Sequence, residues 1–174
     1  MNGPQPNFNA GQLTLRQPLR SDGSALHALI ANCPPLDLNS VYAYLLLCLH
    51  HPQTSVVAEL DGILVGTVTA YIPPQQPDTL FVWQVAVAPQ MRGQKLAPRM
   101  LQHLVQACIT PRQLRWMETT ISPSNRPSHQ LFTNFSLQHD AGCSITPLFA
   151  AEDFGESGHE EERLYKLGPW DRAA

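Results

Sequence analysis

Residues 81–100 read FVWQVAVAPQMRGQKLAPRM, and this stretch decides the fold. Its first half, extended back to Leu80 and ending at Val87, is rich in β-branched and aromatic residues, which predicts a strand buried on both faces. From Leu96 to Cys108 apolar residues recur every three or four positions, as in a helix packed on a sheet. Pro98 falls near the first turn of this helix, where its missing N–H costs little. We therefore expect a strand, a short loop and a helix.

Basic residues cluster at the start of the predicted helix. Arg92, Lys95 and Arg99 are three of the eleven lysines and arginines in the chain. The partial positive charge of a helix N-terminus disfavours each nearby cation by about 0.3–1 kcal/mol. A bound polyanion would reverse this effect, because the free N–H groups, the helix dipole and the basic side chains would all face it. The loop predicts a phosphate-binding site, and the alternative is a purely structural strand–turn–helix unit.

Composition bounds the class of protein. The chain has 174 residues, 43% of them apolar and 14% charged, which predicts one globular domain over residues 13–174 after a mobile tail at residues 1–12. A net charge of −3 argues against a nucleic-acid binder, and no apolar run is long enough to cross a membrane. The four cysteines are far apart and no signal peptide is evident, which predicts a cytoplasmic protein with reduced thiols. No metal-ligand spacing is evident, so we expect no metal.

The remaining pattern predicts an α/β (α+β) fold. We expect a first strand at Leu13 to Arg16, a helix capped by Ser21 or Asp22, and a second helix from Val41 to His50 capped by Asn39 or Ser40. Residues 54–60 and 63–71 form a predicted hairpin around an Asp-Gly turn. After the central unit we expect a strand over 114–120, a helix that starts at Asn125 and Pro127, and closing strands over 137–146 and 163–167. The sheet is expected to be mixed.

The loop at residues 92–97 resembles the pyrophosphate loop of the GCN5-related N-acetyltransferases, whose pattern is Arg/Gln-x-x-Gly-x-Gly/Ala. Arg92 and Ala97 match this pattern, whereas Lys95 stands where the family has a glycine. The order of predicted elements also resembles this family. The resemblance implies a mostly antiparallel twisted sheet with helices on both faces, and acetyl-CoA as the co-substrate.

Four further segments resemble the L-2,4-diaminobutyrate acetyltransferases of ectoine biosynthesis. They are residues 36–48 (LDLNSVYAYLLLC), 81–87 (FVWQVAV), 118–125 (ETTISPSN), and 151–154 (AEDF) with 158–162 (GHEEE). The resemblance implies transfer of acetyl to the γ-amine of L-2,4-diaminobutyrate, a role in osmoadaptation, and a homodimer. The remaining hypotheses are acetylation of another small diamine or amino acid, or a catalytically silent acyl-CoA-binding module.

The resemblance also assigns candidate cofactor residues. The N–H of Val85 would stabilise the oxyanion, and Val87 would pair with the pantetheine. The phosphate loop would contribute Arg92, Gly93, Gln94, Lys95, Leu96 and Ala97. The helix predicted to start at Asn125 would contribute Asn125 and Ser128. Phe132 stands where many acetyltransferases carry a tyrosine that protonates the departing thiolate, so this acid is absent.

Candidate substrate residues follow from the charge of a diamine. Six of the fourteen acidic residues fall in one C-terminal stretch, which is either an anionic wall or a solvated loop. Within it, His159 and Glu162 match the diaminobutyrate acetyltransferases. Asp37 is either an ammonium anchor or a turn aspartate. The other candidates are Trp83 and Tyr42 as pocket walls, each with a core role as the alternative, Thr119 at the pocket, and Glu118 as proton acceptor.

Overall fold

The computed structural model describes residues 12–109 and 114–170, so the tail predicted at residues 1–12 lies almost wholly outside the described residues. The strands are β1 (Leu13–Arg16), β2 (Val56–Leu60), β3 (Ile63–Tyr71), β4 (Thr79–Val87), β5 (Trp116–Ile121), β6 (Cys143–Phe149) and β7 (Glu162–Leu167). The α-helices are α1 (Gly23–Ala31), α2 (Val41–His50), α3 (Leu96–Leu104) and α4 (Arg126–Gln138). The predicted order of elements is confirmed.

These strands form one sheet in the order β1-β2-β3-β4-β5-β7-β6. β4 and β5 run parallel, and the other described pairs are antiparallel, so the predicted mixed and mostly antiparallel sheet is confirmed. β4 and β5 pair from Thr79–Trp116 to Val82–Thr119 and then part. The last five residues of β4, of which all but Trp83 pair with β3, therefore border a gap in the sheet on the other side.

A β-bulge at Trp83 changes the direction of the β4 side chains. Thr69 pairs with Gln84 and Ala70 with Val82, which leaves Trp83 without a partner on β3. The prediction that this strand is buried on both faces is wrong. Leu80 and Val82 are buried, but Trp83 is 37% exposed and Val85 is only half-buried, because β5 no longer covers this end of the strand.

The helices cover the sheet with their apolar stripes. α1 packs against α2 and β3, while α3 packs against β2, β3 and β4. The predicted stripe of α3 is confirmed, since its apolar residues are buried and the helix continues through a π-helical turn at Val105–Ile109. Ser40 caps α2 by accepting the N–H of Ala43 at 3.2 Å. Among the described residues, none of the helices has the length and apolar character needed to cross a bilayer.

Two predicted boundaries are wrong. The residues from Leu137 do not begin a strand, because α4 continues to Gln138 and a left-handed turn at Asp140 precedes β6. Thr54 belongs to a 3-10 turn before β2, where its hydroxyl donates to the carbonyl of Ala70 at 2.7 Å. In the first case a longer helix with a left-handed turn, and in the second a 3-10 turn, replaces a short stretch of predicted strand.

Candidate active site

The end of β4 directs backbone groups into the gap in the sheet. The N–H of Ala88 donates to Val65 at 2.9 Å, and the N–H of Gln84 donates to the hydroxyl of Thr69 at 3.1 Å, so both point towards β3. Successive N–H groups of a strand alternate in direction. The N–H groups of Val85 and Val87 therefore point away from β3, to the side where β5 has parted from the strand.

A groove of about 500 Å³ occupies this gap. One wall is the end of β4, a second is the start of α3, a third is α4, and the loop after α1 closes the fourth side. Its lining includes Cys33, Pro34, Pro35, Leu36, Val85, Val87, Arg92, Gly93, Lys95, Leu96, Ala97, Asn125, Ser128 and Leu131. Nine of the ten predicted cofactor residues thus lie around one groove. Gln94 is the exception, since its side chain donates to the carbonyl of Gln90 at 3.1 Å.

The loop before α3 has the backbone of an anion-binding turn. Gly93 and Lys95 both adopt left-handed conformations, with φ of 77° and 58°. Arg92 and Lys95 are exposed at the groove, and within the described residues neither they nor Arg99 forms an ion pair. The first turn of a helix leaves N–H groups without intrahelical partners. Cations that form no ion pair with the described residues, together with the N–H groups of a helix's first turn, fit a diphosphate.

α4 presents its capped N-terminus to the opposite wall. The side chain of Asn125 accepts the N–H of Ser128 at 3.2 Å, and both residues line the groove. Phe132, one turn further along, is 2% exposed and packs in the core. Phe132 therefore offers no hydroxyl at the position where the resemblance implies a tyrosine in many acetyltransferases.

A second cluster of charged residues lies next to the groove. The Nε2 atom of His159 lies 3.0 Å from the carboxylate of Asp37 and 3.9 Å from that of Glu162. Its Nδ1 atom lies 2.7 Å from the carbonyl oxygen of Glu160. Because both ring nitrogens face acceptors, the imidazolium form satisfies both contacts. The Glu160 carbonyl, and then Asp37, raise the pKa of His159 despite an opposing contribution from burial.

Glu162 is the more buried of the two carboxylates. Its side chain is 16% exposed, compared with 75% for Asp37. Burial raises the pKa of Glu162, and a hydrogen bond with Thr120 partly opposes that shift. Within the described part of the chain, its Oε2 atom is buried and has no hydrogen-bond partner. A buried carboxylate oxygen of this kind fits an ammonium ligand.

Tyr44, whose hydroxyl accepts the N–H of Asn39 beside the loop that carries Asp37, packs on Trp83. The ring of Trp83 stacks on that of Tyr44, with centroids 6.5 Å apart and an interplanar angle of 27°. Tyr42, predicted to line the pocket, is 68% exposed on the outer side of α2. Trp83 thus contacts Tyr44, a partner of the loop that carries Asp37, whereas Tyr42 lies on the surface.

The groove and the charged cluster meet through neighbouring residues on two segments. Leu36 and Val85 line the groove. The residues next to them, Asp37 and Gln84, are joined by a 2.7 Å hydrogen bond from the Gln84 amide to the Asp37 carbonyl. An acyl group at Val85 would therefore lie close to the anionic cluster that includes Asp37.

Two further predicted residues, the proton acceptor Glu118 and the substrate-binding residue Thr119, lie elsewhere. Glu118 is 5% exposed, and its carboxylate accepts a hydrogen bond from Lys166 at 2.9 Å on the part of β5 that is still paired with β4. Thr119 is buried, and neighbouring strand residues point to opposite faces, so it faces away from the side on which Thr120 bonds Glu162. Neither residue lines the groove.

Sequence reasoning missed three contributors, namely Gln84, Tyr44 and Thr120. Thr120 could have been predicted from the sequence, because strand alternation places it on the same face of β5 as Glu118, which was a candidate. Gln84 and Tyr44 were hidden because the bulge that turns Gln84 towards α2 leaves no signal in an apolar strand. In the described ranges, no group of three or more His, Cys, Asp or Glu residues is arranged to hold a metal ion.

Comparison with known proteins gives one consistent answer. The sequence profile described as the acetyltransferase (GNAT) family matches residues 24–136. The L-2,4-diaminobutyric acid acetyltransferase of Bordetella parapertussis is 47% identical over 90% of this chain and 84% of its own length. The enzyme of the same name from Virgibacillus pantothenticus is 42% identical over 90% of this chain and 98% of its own length.

A solved structure is similar over almost the full length. It is the diaminobutyrate acetyltransferase EctA from Paenibacillus lautus, in complex with its substrate L-2,4-diaminobutyric acid and coenzyme A. The TM-score is 0.89 at 36% sequence identity, with 95% of this chain and 100% of that chain covered.

Proposed function

This chain belongs to the acetyltransferase (GNAT) family and, within it, to the diaminobutyrate acetyltransferases, and we propose that it transfers the acetyl group of acetyl-CoA to the γ-amino group of L-2,4-diaminobutyrate. The observation that carries the proposal is the position of the charged cluster. Asp37 directly follows Leu36, which lines the diphosphate-compatible groove, and His159 joins Asp37 to Glu162, so a thioester in the groove and a diamine at the carboxylates would meet. The product, N4-acetyl-L-2,4-diaminobutyrate, places the enzyme in ectoine biosynthesis.

Different residues of the groove bind different parts of acetyl-CoA. Arg92, Lys95 and the N–H groups at the start of α3 hold the diphosphate. Val87 pairs with the pantetheine as a strand would, and Asn125 and Ser128 contact the same arm from α4. The remaining loop residues, Gly93, Gln94, Leu96 and Ala97, give the turn its shape.

The carboxylates select a substrate with two ammonium groups. Asp37 and Glu162 carry two formal negative charges and His159 one positive charge, so the cluster is anionic before substrate binds. Asp37, which is largely exposed, holds the α-ammonium. Glu162, whose Oε2 atom is buried with no hydrogen-bond partner among the described residues, holds the γ-amine, and the half-exposed ring of Trp83 provides an aromatic face of the pocket.

Attack requires a neutral amine, whereas an alkyl ammonium has a pKa near 10 in water. Glu162 receives this proton, directly or through a water, because burial makes its carboxylate more basic than an exposed one. The N–H of Val85 donates to the carbonyl oxygen as it becomes negative. Phe132 cannot supply an acid, so the sulfur leaves as a thiolate and takes a proton released by the amine. Acetyl-CoA and the ammonium form of the amine are thus converted to one amide, one thiol and one released proton.

We also propose a homodimer in the cytoplasm. Large apolar side chains are exposed on two surfaces, the α2 side (Leu38, Val41, Tyr42, Leu46, Leu49) and β6 (Ile145, Leu148, Phe149). Exposed apolar groups of this size favour association between subunits. The four cysteines all lie in the described ranges and none of them forms a disulfide, which fits a reducing compartment. Light scattering on the purified protein distinguishes a dimer from a monomer.

Steady-state kinetics with a set of amines test the proposed substrate. We expect L-2,4-diaminobutyrate to be preferred over L-ornithine and over 4-aminobutyrate, which lacks the α-ammonium. Asp37→Asn should raise the KM for diaminobutyrate about fivefold, because one charge-assisted contact is lost at an exposed site. Glu162→Gln should lower kcat about 100-fold, the usual contribution of a positioned base.

Glu152→Gln is the matched control, since Glu152 is an exposed carboxylate of the same acidic stretch. It should leave all parameters within twofold of the wild type. Equal rates with diaminobutyrate and 4-aminobutyrate, or equal effects of all three substitutions, would remove the proposed substrate site.

A further inference from the structure

We propose that Gln84 and Tyr44 are positioning residues that hold the loop carrying Asp37 in register with the strand that carries Val85. The inference rests on the proposed function, because it concerns the diamine site of that reaction. Neither side chain needs to touch substrate. Their role is to fix the distance between the anchor for the diamine and the backbone donor for the acetyl oxygen.

The contacts form a directional chain of hydrogen bonds. The N–H of Asn39 donates to the Tyr44 hydroxyl at 3.2 Å, and this hydroxyl donates to Oε1 of Gln84 at 3.2 Å. The Nε2 group of Gln84 then donates to the carbonyl of Asp37 at 2.7 Å. Each donor has one acceptor. These hydrogen bonds hold the 37–39 segment at two backbone atoms, the nitrogen of Asn39 and the carbonyl oxygen of Asp37.

These contacts are made where solvent cannot replace them. Tyr44 is fully buried and Gln84 is 6% exposed, although the Asp37 side chain is mostly exposed. A buried polar group that loses its partner keeps its desolvation penalty. The loop is therefore restrained by buried groups on its inner side while its carboxylate remains free to meet a ligand.

The bulge in β4 explains why Gln84 can reach the loop. Trp83 is the extra residue of the bulge, and Trp83 and Gln84 both contact Tyr44 on α2. The main-chain N–H of Gln84 is held by the hydroxyl of Thr69. Because Gln84 directly precedes Val85, its side chain connects the diamine anchor to the backbone that would bind the acetyl group.

A purely structural role makes a different prediction. If the chain of hydrogen bonds only fills the interior, its loss lowers the unfolding temperature but leaves the KM of folded enzyme unchanged for both substrates. If it positions Asp37, its loss raises the KM for the diamine, leaves the KM for acetyl-CoA unchanged, and loosens residues 36–40. The two roles are therefore distinguishable in folded protein.

The experiment uses Tyr44→Phe, which removes one hydroxyl and keeps the ring on Trp83, and Gln84→Met, which removes both side-chain hydrogen bonds at similar volume. Amide hydrogen exchange of residues 36–40 and both KM values are measured on each full-length variant. Thr54→Val is the control, because Thr54 is equally buried and also donates a side-chain hydrogen bond to a carbonyl, that of Ala70, away from the site.

We expect the KM for diaminobutyrate to rise about fivefold in Tyr44→Phe and about tenfold in Gln84→Met, as for the loss of one or two buried hydrogen bonds. Exchange at residues 36–40 should become faster in both variants, and the KM for acetyl-CoA should stay within twofold. The double variant should be no worse than Gln84→Met alone, since both residues act through one loop. Thr54→Val should change only the unfolding temperature.

Unchanged exchange at residues 36–40, or a KM for diaminobutyrate that matches the wild type in both folded variants, would overturn the inference. Failure of the proposed function would appear in a different measurement, as absence of turnover by the wild-type enzyme. The exchange measurement does not depend on activity, so it tests in either case whether the two residues restrain the 36–40 loop.

Discussion

Lys95 combines an unfavourable backbone with a useful charge. Its φ of 58° lies in the left-handed region, which costs a residue with a Cβ about 1–2 kcal/mol relative to glycine. The related loop pattern has glycine here, which would adopt this turn freely. The lysine offers a cation at the groove, so the chain exchanges some stability for a phosphate contact.

Two substitutions separate these effects. Lys95→Gly and Lys95→Ala both remove the charge and should raise the KM for acetyl-CoA several-fold, as expected for one lost charge-assisted contact. Only the glycine relieves the left-handed strain, so it should be more stable than the alanine variant by about 1 kcal/mol, or roughly 2–4 °C in Tm. Thermal unfolding of the two purified variants measures the difference. Equal melting temperatures would mean that the turn is not strained.

Glu162 should set the acid limb of the pH profile. Burial raises its folded-state pKa above the ordinary 4.5, and only the ionised carboxylate can hold an ammonium or take its proton. As pH falls through the raised pKa, kcat/KM for diaminobutyrate should fall, with the limb centred above pH 4.5. This ratio reports groups of the free enzyme.

The same limb should be absent in Glu162→Gln, whose residual activity cannot depend on this carboxyl. A wild-type limb centred at or below pH 4.5, or an unchanged limb in the variant, would exclude Glu162 from this role.

At the scale of elements, α2 begins beside the loop that carries Asp37. Ser40 caps the helix through Ala43, and the next residues along the chain carry Tyr44 into the core. A well-formed first turn therefore helps to hold both the loop and its buried partner.

Ser40→Ala should lower stability by about 1 kcal/mol, the usual cost of a lost N-cap. Ser40→Asp should retain the stability, because its carboxylate accepts the same N–H and also favours the helix dipole. Chemical denaturation of the three proteins provides the comparison. A fully stable alanine variant would show that the cap contributes nothing.

Local patterns accounted for most elements, because periodicity and capping are recorded in adjacent residues. The stripe from Leu96 to Cys108 and the cap at Ser40 are examples. The bulge at Trp83 was not predictable, since an apolar strand reads alike with or without one extra residue. The Asp140 turn was missed for a related reason, because a left-handed residue other than glycine has no strong signature.

At the scale of the whole molecule, the site joins distant parts of the chain. His159 and Asp37 are 122 residues apart, yet 3.0 Å separates their side chains. Their proximity depends on where β6, β7 and the loop between them fold relative to α2, which no local pattern contains. The groove was predictable because one strand–loop–helix unit forms much of it. The diamine site could be assigned from resemblance, but its geometry required the fold.

The position of the new acetyl group tests the central proposal most directly. Purified protein is incubated with acetyl-CoA and L-2,4-diaminobutyrate, coenzyme A release is followed, and the product is identified by NMR. We expect one equivalent of coenzyme A per acetylated amine, and acetyl on the γ-nitrogen alone. Release no faster than without enzyme, or a product acetylated on the α-nitrogen, would contradict the proposal.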